Sequence, residues 1–321
     1  MIDVIFPFHR NDQFLIDAVD SLLASKGVKI RVIIVDDRTH KEKNFSEVFA
    51  KFENYEYIHT GGGKGYGECL KIGSHYLNSE FTALMNSDDT IHAERFIRQL
   101  KMLDSSEISI SKMNRINAND KRINPLLGDV TSSNYNSAFL LLGAYGANAS
   151  WCMHREWWLS NAFFDNEQCL DWRIALISFP SSNISYTNYP LYNYRKHSNQ
   201  VTSLRYIPNR ELDSLYLAWV SYLSLLLPDK FSRDVFNLVA TPWNNSSVLD
   251  IDEYLNFRRL ILLKIKDINP EIFIDFTKLI KRRDITTIRK STGILTRTKL
   301  MAKCYSEFIS VGKDILYNLI K

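Results

Sequence analysis

Short apolar runs alternate with helical-period stretches through the first hundred residues of the chain. The runs at 2–6, 30–35, 55–59 and 81–85 are rich in Val, Ile, Phe and Tyr and too short for helices, which marks them as strands. Between them, apolar positions fall three and four residues apart. Phe14, Leu15, Ala18, Val19, Leu22 and Leu23 form one such stripe, with Asn11 or Asp12 as its cap. A short helix is predicted near 45–52, another from the glycine-rich run 61–67 to about Asn78, and a third over 93–103. Buried strands alternating with helices predict an α/β fold with a mostly parallel central sheet covered on both faces.

The middle of the chain is less regular. Strand-like pieces stand at 107–111 and 184–194, a helix is predicted over 171–178, and a polar stretch rich in Asn and Ser spans 117–137. Beyond Pro208 the period turns helical, at 209–227, 252–266, 270–283 and 298–320, with Pro208, Pro228, Pro242 and Pro270 as punctuation. Two domains are therefore predicted: an α/β domain over 1–207 and a helical region with a basic tail over 208–321.

Chemistry concentrates where strands end. The run 81–85 is followed at once by Asn86-Ser87-Asp88-Asp89, and the run 30–35 by Asp36-Asp37. Adjacent carboxylates behind a buried strand repel each other and gain nothing from a core; a divalent cation makes them tolerable. A helix cap would need one such residue, and a turn would explain Asp36-Asp37 as readily as a site does. Two acid-ended strands suggest one shared rim, and ligands of open α/β sheets bind at that rim. Beside Phe6-Pro7-Phe8, a carboxylate at the end of the second strand can accept the imide N–H of a uracil.

Three further pieces carry weaker signals. The glycine run around Lys64 and Gly65 matches neither phosphate-binding glycine fingerprint, and reads as a flexible turn or as a close backbone approach to phosphate or sugar. Asp171 opens a predicted helix, as a cap or as a general base, with Glu167 as its neighbour and competitor. His197 follows Arg195 and Lys196, a cluster suited to a diphosphate with an imidazole as metal ligand.

Composition narrows the classes. At 321 residues and 45% hydrophobic, the chain supports one sizeable core plus an appendage. Its net charge of +4 is unevenly placed: 278–321 hold 11 Lys/Arg against 3 Asp/Glu, so the remainder is mildly acidic. Charge confined to a tail argues against nucleic acid and for an anionic surface. Cys69, Cys152, Cys169 and Cys304 form no C-x-x-C pair, which argues against a zinc site or a disulfide framework. The N-terminus opens directly on a strand, so no signal peptide is expected, and the expected location is cytoplasmic.

Taken in order, these pieces resemble family 2 glycosyltransferases of the bacterial surface-polysaccharide type. These are inverting enzymes with a GT-A nucleotide-sugar-binding domain, here over roughly residues 2–205. The resemblance rests on 4–10, 33–39, Gly65 with its helix, Asn86-Ser87-Asp88-Asp89, Leu170-Asp171-Trp172 and Tyr194-Arg195-Lys196-His197. It implies a UDP-sugar donor contacted by Pro7, Phe8, Asp36, Asp37, Lys64, Gly65, Asn86 and Arg195. It implies Mg²⁺ or Mn²⁺ held by Asp88, with Asp89 and His197 sharing the task, and Asp171 as catalytic base. The implied acceptor is a glycan or lipid-linked oligosaccharide of a surface polysaccharide such as O-antigen or capsule. The basic tail would rest on the cytoplasmic face of the inner membrane. Three positions depart from the family pattern: Asn86 replaces the first acid of D-x-D, Cys69-Leu70-Lys71 replaces small-Arg-Asn, and Leu170 replaces the usual Glu before Asp171. Two rival readings stand beside it: a sugar nucleotidyltransferase, and a non-catalytic nucleotide-sugar- or glycan-binding module of the same fold.

Overall fold

The computed structural model describes residues 1–9, 12–39, 45–123, 140–141, 146–162, 169–198, 200, 209–227, 233, 235–236 and 251–268. The chain divides into two compact units, Met1–Tyr222 and Leu223–Lys321.

The first unit is built on a nine-stranded mixed sheet. Its strands are β1 (Ile2–Phe8), β2 (Ile30–Asp36), β3 (Tyr55–His59), β4 (Phe81–Leu84), β5 (Thr90–Ile91), β6 (Ile108–Asn117), β7 (Arg122–Ile123), β8 (Trp151–His154) and β9 (Ile184–Lys196). They lie in the order β3-β2-β1-β4-β8-β6-β9-β5, with β7 paired to β6. The β3-β2-β1-β4 half is parallel throughout, β8 is antiparallel to both its neighbours, and β9 runs parallel to β6. Register aligns Phe8 with Asp36 and Asp36 with His59, so the C-terminal ends of these strands share one rim. β9 ends on the same rim, because two antiparallel steps through β8 restore its direction.

The helices are α1 (Asp12–Leu23), α2 (Ser46–Phe49), α3 (Tyr66–Ser74), α4 (Arg95–Leu103), α5 (Arg155–Asn161), α6 (Leu170–Ser178), α7 (Asn209–Leu226) and α8 (Ile251–Ile268). On one face of the sheet, Leu15, Ala18, Val19 and Leu22 of α1 and Phe96 and Leu103 of α4 join Val4, Phe6, Phe8, Val32 and Ile34 in one buried cluster. On the other, Cys69 and Ile72 of α3 pack with Ile33, Val35 and Ile58. The approach there is close: a Cβ on Gly73 would lie 2.6 Å from Ile5 Cγ2. Both faces are thus covered, as strands apolar on both sides require.

The elements that periodicity predicted through residue 103 are present, with boundaries shifted by a few residues. The middle holds more structure than its pattern announced. β6 runs to Asn117, and β5, β7, β8 and α5 were not foreseen. Of the four C-terminal helices, α7 and α8 match two; the segments at 270–283 and 298–320, and with them the basic tail, lie outside the described residues. The division between units falls within α7 rather than ahead of it. On α7, buried Trp219 donates its indole N–H to the carbonyl of Leu141 at 3.1 Å, within the first unit. In the second unit, Leu255, Phe257, Ile261 and Leu262 of α8 are buried. Among the described residues no helix is long and apolar enough to cross a membrane. Among the described residues Cys69, Cys152 and Cys169 form no disulfide.

Candidate active site

The turn that follows β4 separates its two carboxylates into different jobs. Asp89 is fully buried and accepts hydrogen bonds from the Tyr192 hydroxyl at 2.7 Å, Asn86 Nδ2 at 3.1 Å and the Arg195 backbone N–H at 2.7 Å. Burial, and after it the charge of Asp88, raises its carboxyl well above the usual carboxylate range. Behind it, the guanidinium of fully buried Arg95 lies 5.0 Å from the Tyr192 ring centroid and donates to the carbonyls of Leu84, Ala149 and Trp151. Asp89 therefore fastens the turn. The resemblance gave Asp89 a share in holding the metal; the structure shows it fully buried among these donors.

Asp88 is the carboxylate left at the surface of the site. It is 15% exposed, and its Oδ2 lies 3.0 Å from His197 Nε2. His197 itself is nearly buried, with its ring 5.0 Å from that of Phe14. Arg195 holds this pair in place. Its Nε donates to the Asp88 carbonyl at 2.8 Å, and its terminal nitrogens meet Asp17 at 3.3 Å and Asp120 at 2.9 Å. The Arg195 guanidinium also lies 4.5 Å over the Phe14 ring. The side chain is fully buried, so Arg195 braces the turn from inside rather than presenting its charge to a diphosphate.

Asp36 and Asp37 are likewise committed to the protein. Asp36, fully buried, takes both Nε and a terminal nitrogen of Arg38 at 2.8 and 2.6 Å and the Tyr57 hydroxyl at 2.5 Å. Arg38 in turn lies 4.6 Å over the rings of Phe8 and of Phe45. Phe8 is thus core beneath Arg38, while Pro7 stays partly exposed. Asp37 accepts from the Thr60 hydroxyl at 2.5 Å and from the backbone N–H groups of Lys64 and Gly65, both at 3.0 Å. For both acids desolvation pushes the carboxyl pKa up, but these donors outweigh it and hold the group below the usual range. The glycine loop is therefore an ordered structure folded around Asp37. Gly62 at φ 90° lies so close to Thr39 that a Cβ would sit 2.8 Å from its backbone. Lys64 is exposed at the rim, beside Gly65, which precedes α3.

Asp171 stands in the first turn of α6, half-buried, with Oδ1 accepting the backbone N–H of Trp172 at 3.0 Å. Trp172 is fully buried and its indole donates to the Leu140 carbonyl at 2.8 Å, which pins the start of the helix. Cys169, just before α6, adopts a left-handed φ of 58°, a conformation non-glycine residues seldom hold without a surrounding constraint. Glu167 lies outside the described residues. Tyr66, the first residue of α3, reaches the β4 turn. Its hydroxyl is 3.4 Å from Asn86 Oδ1 and 3.4 Å from Asn148 Oδ1. Desolvation first, then the charges of Asp171, Asp89 and Asp88, raises its pKa well above that of an ordinary phenol, so it stays a hydroxyl. The sequence reading missed Tyr66, Asn148, Tyr192 and Arg95. An aromatic residue set between Gly65 and Gly67 at the head of a helix was the available signal for the first.

Among the described residues no group of three His, Cys, Asp or Glu side chains surrounds a common point. Asp88 Oδ2 and His197 Nε2 nevertheless form a two-donor set, one hard oxygen and one imidazole nitrogen. The carboxylate oxygen is of the kind hard cations such as Mn²⁺ and Mg²⁺ take, and the imidazole nitrogen of the kind softer transition metals take.

Comparison with known proteins identifies the family and the fold. The glycosyl transferase family 2 profile matches residues 3–167, and the chain belongs to that family. An uncharacterized glycosyltransferase of Rickettsia felis is 22% identical over 105 residues, 32% of this chain and 17% of that protein's length. The chain thus matches only a small part of that relative. Among solved structures, S. aureus TarS 1–349 in complex with UDP-GlcNAc superposes with a TM-score of 0.56 at 15% identity, covering 88% of this chain and 83% of TarS 1–349. The UDP complex of TarS 1–349 gives 0.54 at 14% identity, covering 99% and 91%. The fold is accordingly of the GT-A kind.

Proposed function

We propose that this protein transfers a sugar from a UDP-sugar to an acceptor hydroxyl, with inversion at the anomeric carbon. The observation that carries the reading is the Asp88–His197 pair at 3.0 Å, set on the rim where the parallel strands end. TarS, a structural neighbour, was crystallised with UDP-GlcNAc and with UDP, which supports a uridine donor.

In this mechanism Asp88 and His197 would hold Mg²⁺ or Mn²⁺. The ion, when bound, offsets negative charge gathering on the departing diphosphate. Asp89, Arg195 and Tyr192 keep Asp88 aimed without touching substrate. The loop organised by Asp37 brings Lys64 and the Gly65 backbone to the donor, with Pro7 beside the nucleotide. Asp171 takes the proton of the acceptor hydroxyl while that oxygen attacks the anomeric carbon. The bond from that carbon to the β-phosphate oxygen breaks, and UDP leaves with the electron pair. Attack on the face opposite the leaving group inverts the centre. Hydroxyls are weak nucleophiles at neutral pH, so a fixed base and fixed geometry are what the protein must supply.

The acceptor in this reading is a glycan or lipid-linked oligosaccharide of a bacterial surface polysaccharide. The strongly basic 278–321 segment supports docking at the anionic cytoplasmic face of the inner membrane. A panel of nucleotide-sugars, assayed for release of the nucleoside diphosphate with and without Mn²⁺ and with and without a glycan acceptor, tests the proposal. UDP-sugar turnover that needs metal and rises with acceptor is expected; nucleotide binding without turnover of any donor would favour the binding-module reading instead.

A further inference from the structure

Tyr66 and Asn148 are drawn together at the centre of the site with no part in the metal set or in proton removal. Tyr66 enters from α3, on the nucleotide side of the rim. Asn148 enters from the single 3-10 turn, Asn148–Ser150, that leads into β8, and is 5% exposed. Their side chains meet at 3.4 Å, and the same hydroxyl stands 3.4 Å from Asn86. These are long contacts: an O–H donor settles near 2.7–2.8 Å when its partner is optimal. The Tyr66 residue is 39% exposed, and its hydroxyl reaches Asn86, in the turn after β4 that also carries Asp88. It therefore stands beside the turn whose carboxylate is assigned to the diphosphate. Under the mechanism proposed above, the substrate group next to that diphosphate is the sugar being transferred.

We propose that Tyr66 and Asn148 form the subsite that recognises a ring hydroxyl, or an equivalent polar substituent, of the donor's sugar. The Tyr66 hydroxyl donates to that substituent, exchanging its long contacts to Asn86 and Asn148 for a short one. Asn148, through its amide, binds the same substituent from the β8 side. Because both groups come from rigid elements, a helix start and a turn held by Ser150, whose N–H and hydroxyl both donate to the Ala147 carbonyl at 2.8 Å, the subsite is preformed. A preformed polar pair discriminates against an epimer that moves the substituent, since the pair is then left without its partner.

The inference rests on the donor-sugar reading, and the test separates the two. Wild type, Tyr66→Phe and Asn148→Ser are compared in two assays: calorimetric binding of UDP with Mn²⁺, and kcat/KM for a panel of UDP-sugars that differ at one ring carbon. Both variants should bind UDP as wild type does, which also reports that they are folded. Each should lose about fivefold to tenfold in kcat/KM for the preferred donor, the size expected for one neutral hydrogen bond, and each should narrow the gap between epimers. The double variant should lose little more than either single, because the two residues serve one substituent. Variants that keep the full wild-type gap between epimers, or that weaken UDP and UDP-sugar equally, overturn the subsite while leaving the donor class standing. A wild-type protein that binds no uridine nucleotide overturns the donor reading, and the subsite with it.

Discussion

Asp88 Oδ2 and His197 Nε2 lie 3.0 Å apart although 109 positions separate the two residues in the chain. The β4 turn and the end of β9 meet at this point, so a cation held there would be held by both halves of the sheet. His197→Ala should therefore raise the Mn²⁺ concentration needed for half-maximal UDP-sugar turnover by about 10- to 100-fold, the range typical when a metal site loses supporting contacts. Titrating Mn²⁺ into the turnover assay measures it. An unchanged metal requirement would remove His197 from the set.

Asp171 should be dispensable for binding and indispensable for turnover. Replacing it with Asn keeps its size and its ability to accept the Trp172 N–H, but removes the base. Turnover should fall by about 10²- to 10⁴-fold, the usual contribution of a general base, with UDP affinity retained. Steady-state kinetics beside calorimetry reads both. Normal turnover in Asp171→Asn would assign the proton to another group.

The glycine loop offers a contrast between neighbours. Gly61 and Gly62 both have positive φ, 83° and 90°, but only at Gly62 would a Cβ strike backbone, that of Thr39. Gly61→Ala should cost about 1–2 kcal/mol, the left-handed penalty alone. Gly62→Ala should cost clearly more and should weaken UDP binding, because the loop must move off Asp37. Chemical denaturation of both variants checks the order.

Asp3, Asp36 and Asp37 set the acid limit of the fold. Desolvation opposes ionisation at each, yet donors win: Arg31, Ser79 and Asn78 at Asp3, Arg38 and Tyr57 at Asp36, Thr60 and the loop amides at Asp37. A carboxyl whose pKa is depressed on folding contributes stability that is present above its unfolded value and lost as pH falls through the folded one. The stability these three supply should thus fall away below about pH 4, where unfolded carboxyls protonate, whereas Asp89, raised on folding, acts with the opposite sign as pH rises above that value. Asp37→Ala should lower stability at pH 7 by about 1–3 kcal/mol, the cost of stranded donors, and should soften the acid drop.

How much of this could be read from the sequence depends on the range of the forces involved. Strands β1 to β4 and the helices between them were legible because each buries a face set by its own local period. β8 and α5 were not: Trp151-Cys152-Met153-His154 passes straight into Arg155-Glu156-Trp157-Trp158, with no intervening turn residue and no settled period. The acid pair after β4 was legible, but not the different surroundings of its two members. Tyr192 and Arg195, more than a hundred residues away, bind Asp89 and leave Asp88 nearer the surface. The same limit applies to Arg195. A cation beside a histidine looks available in one dimension and turns out to be a buried brace once Asp17 and Asp120 close on it.

The central claim is that Asp88 brings a divalent cation to the diphosphate of the donor. Calorimetry of UDP binding, with Mn²⁺ and with a chelator, on wild type and Asp88→Asn tests it most directly. The account predicts that Mn²⁺ tightens UDP binding to wild type by about tenfold or more, in line with the loss a disturbed metal site suffers, and leaves Asp88→Asn unaffected. UDP affinity indifferent to the metal in wild type, or a metal response that survives in Asp88→Asn, would contradict it.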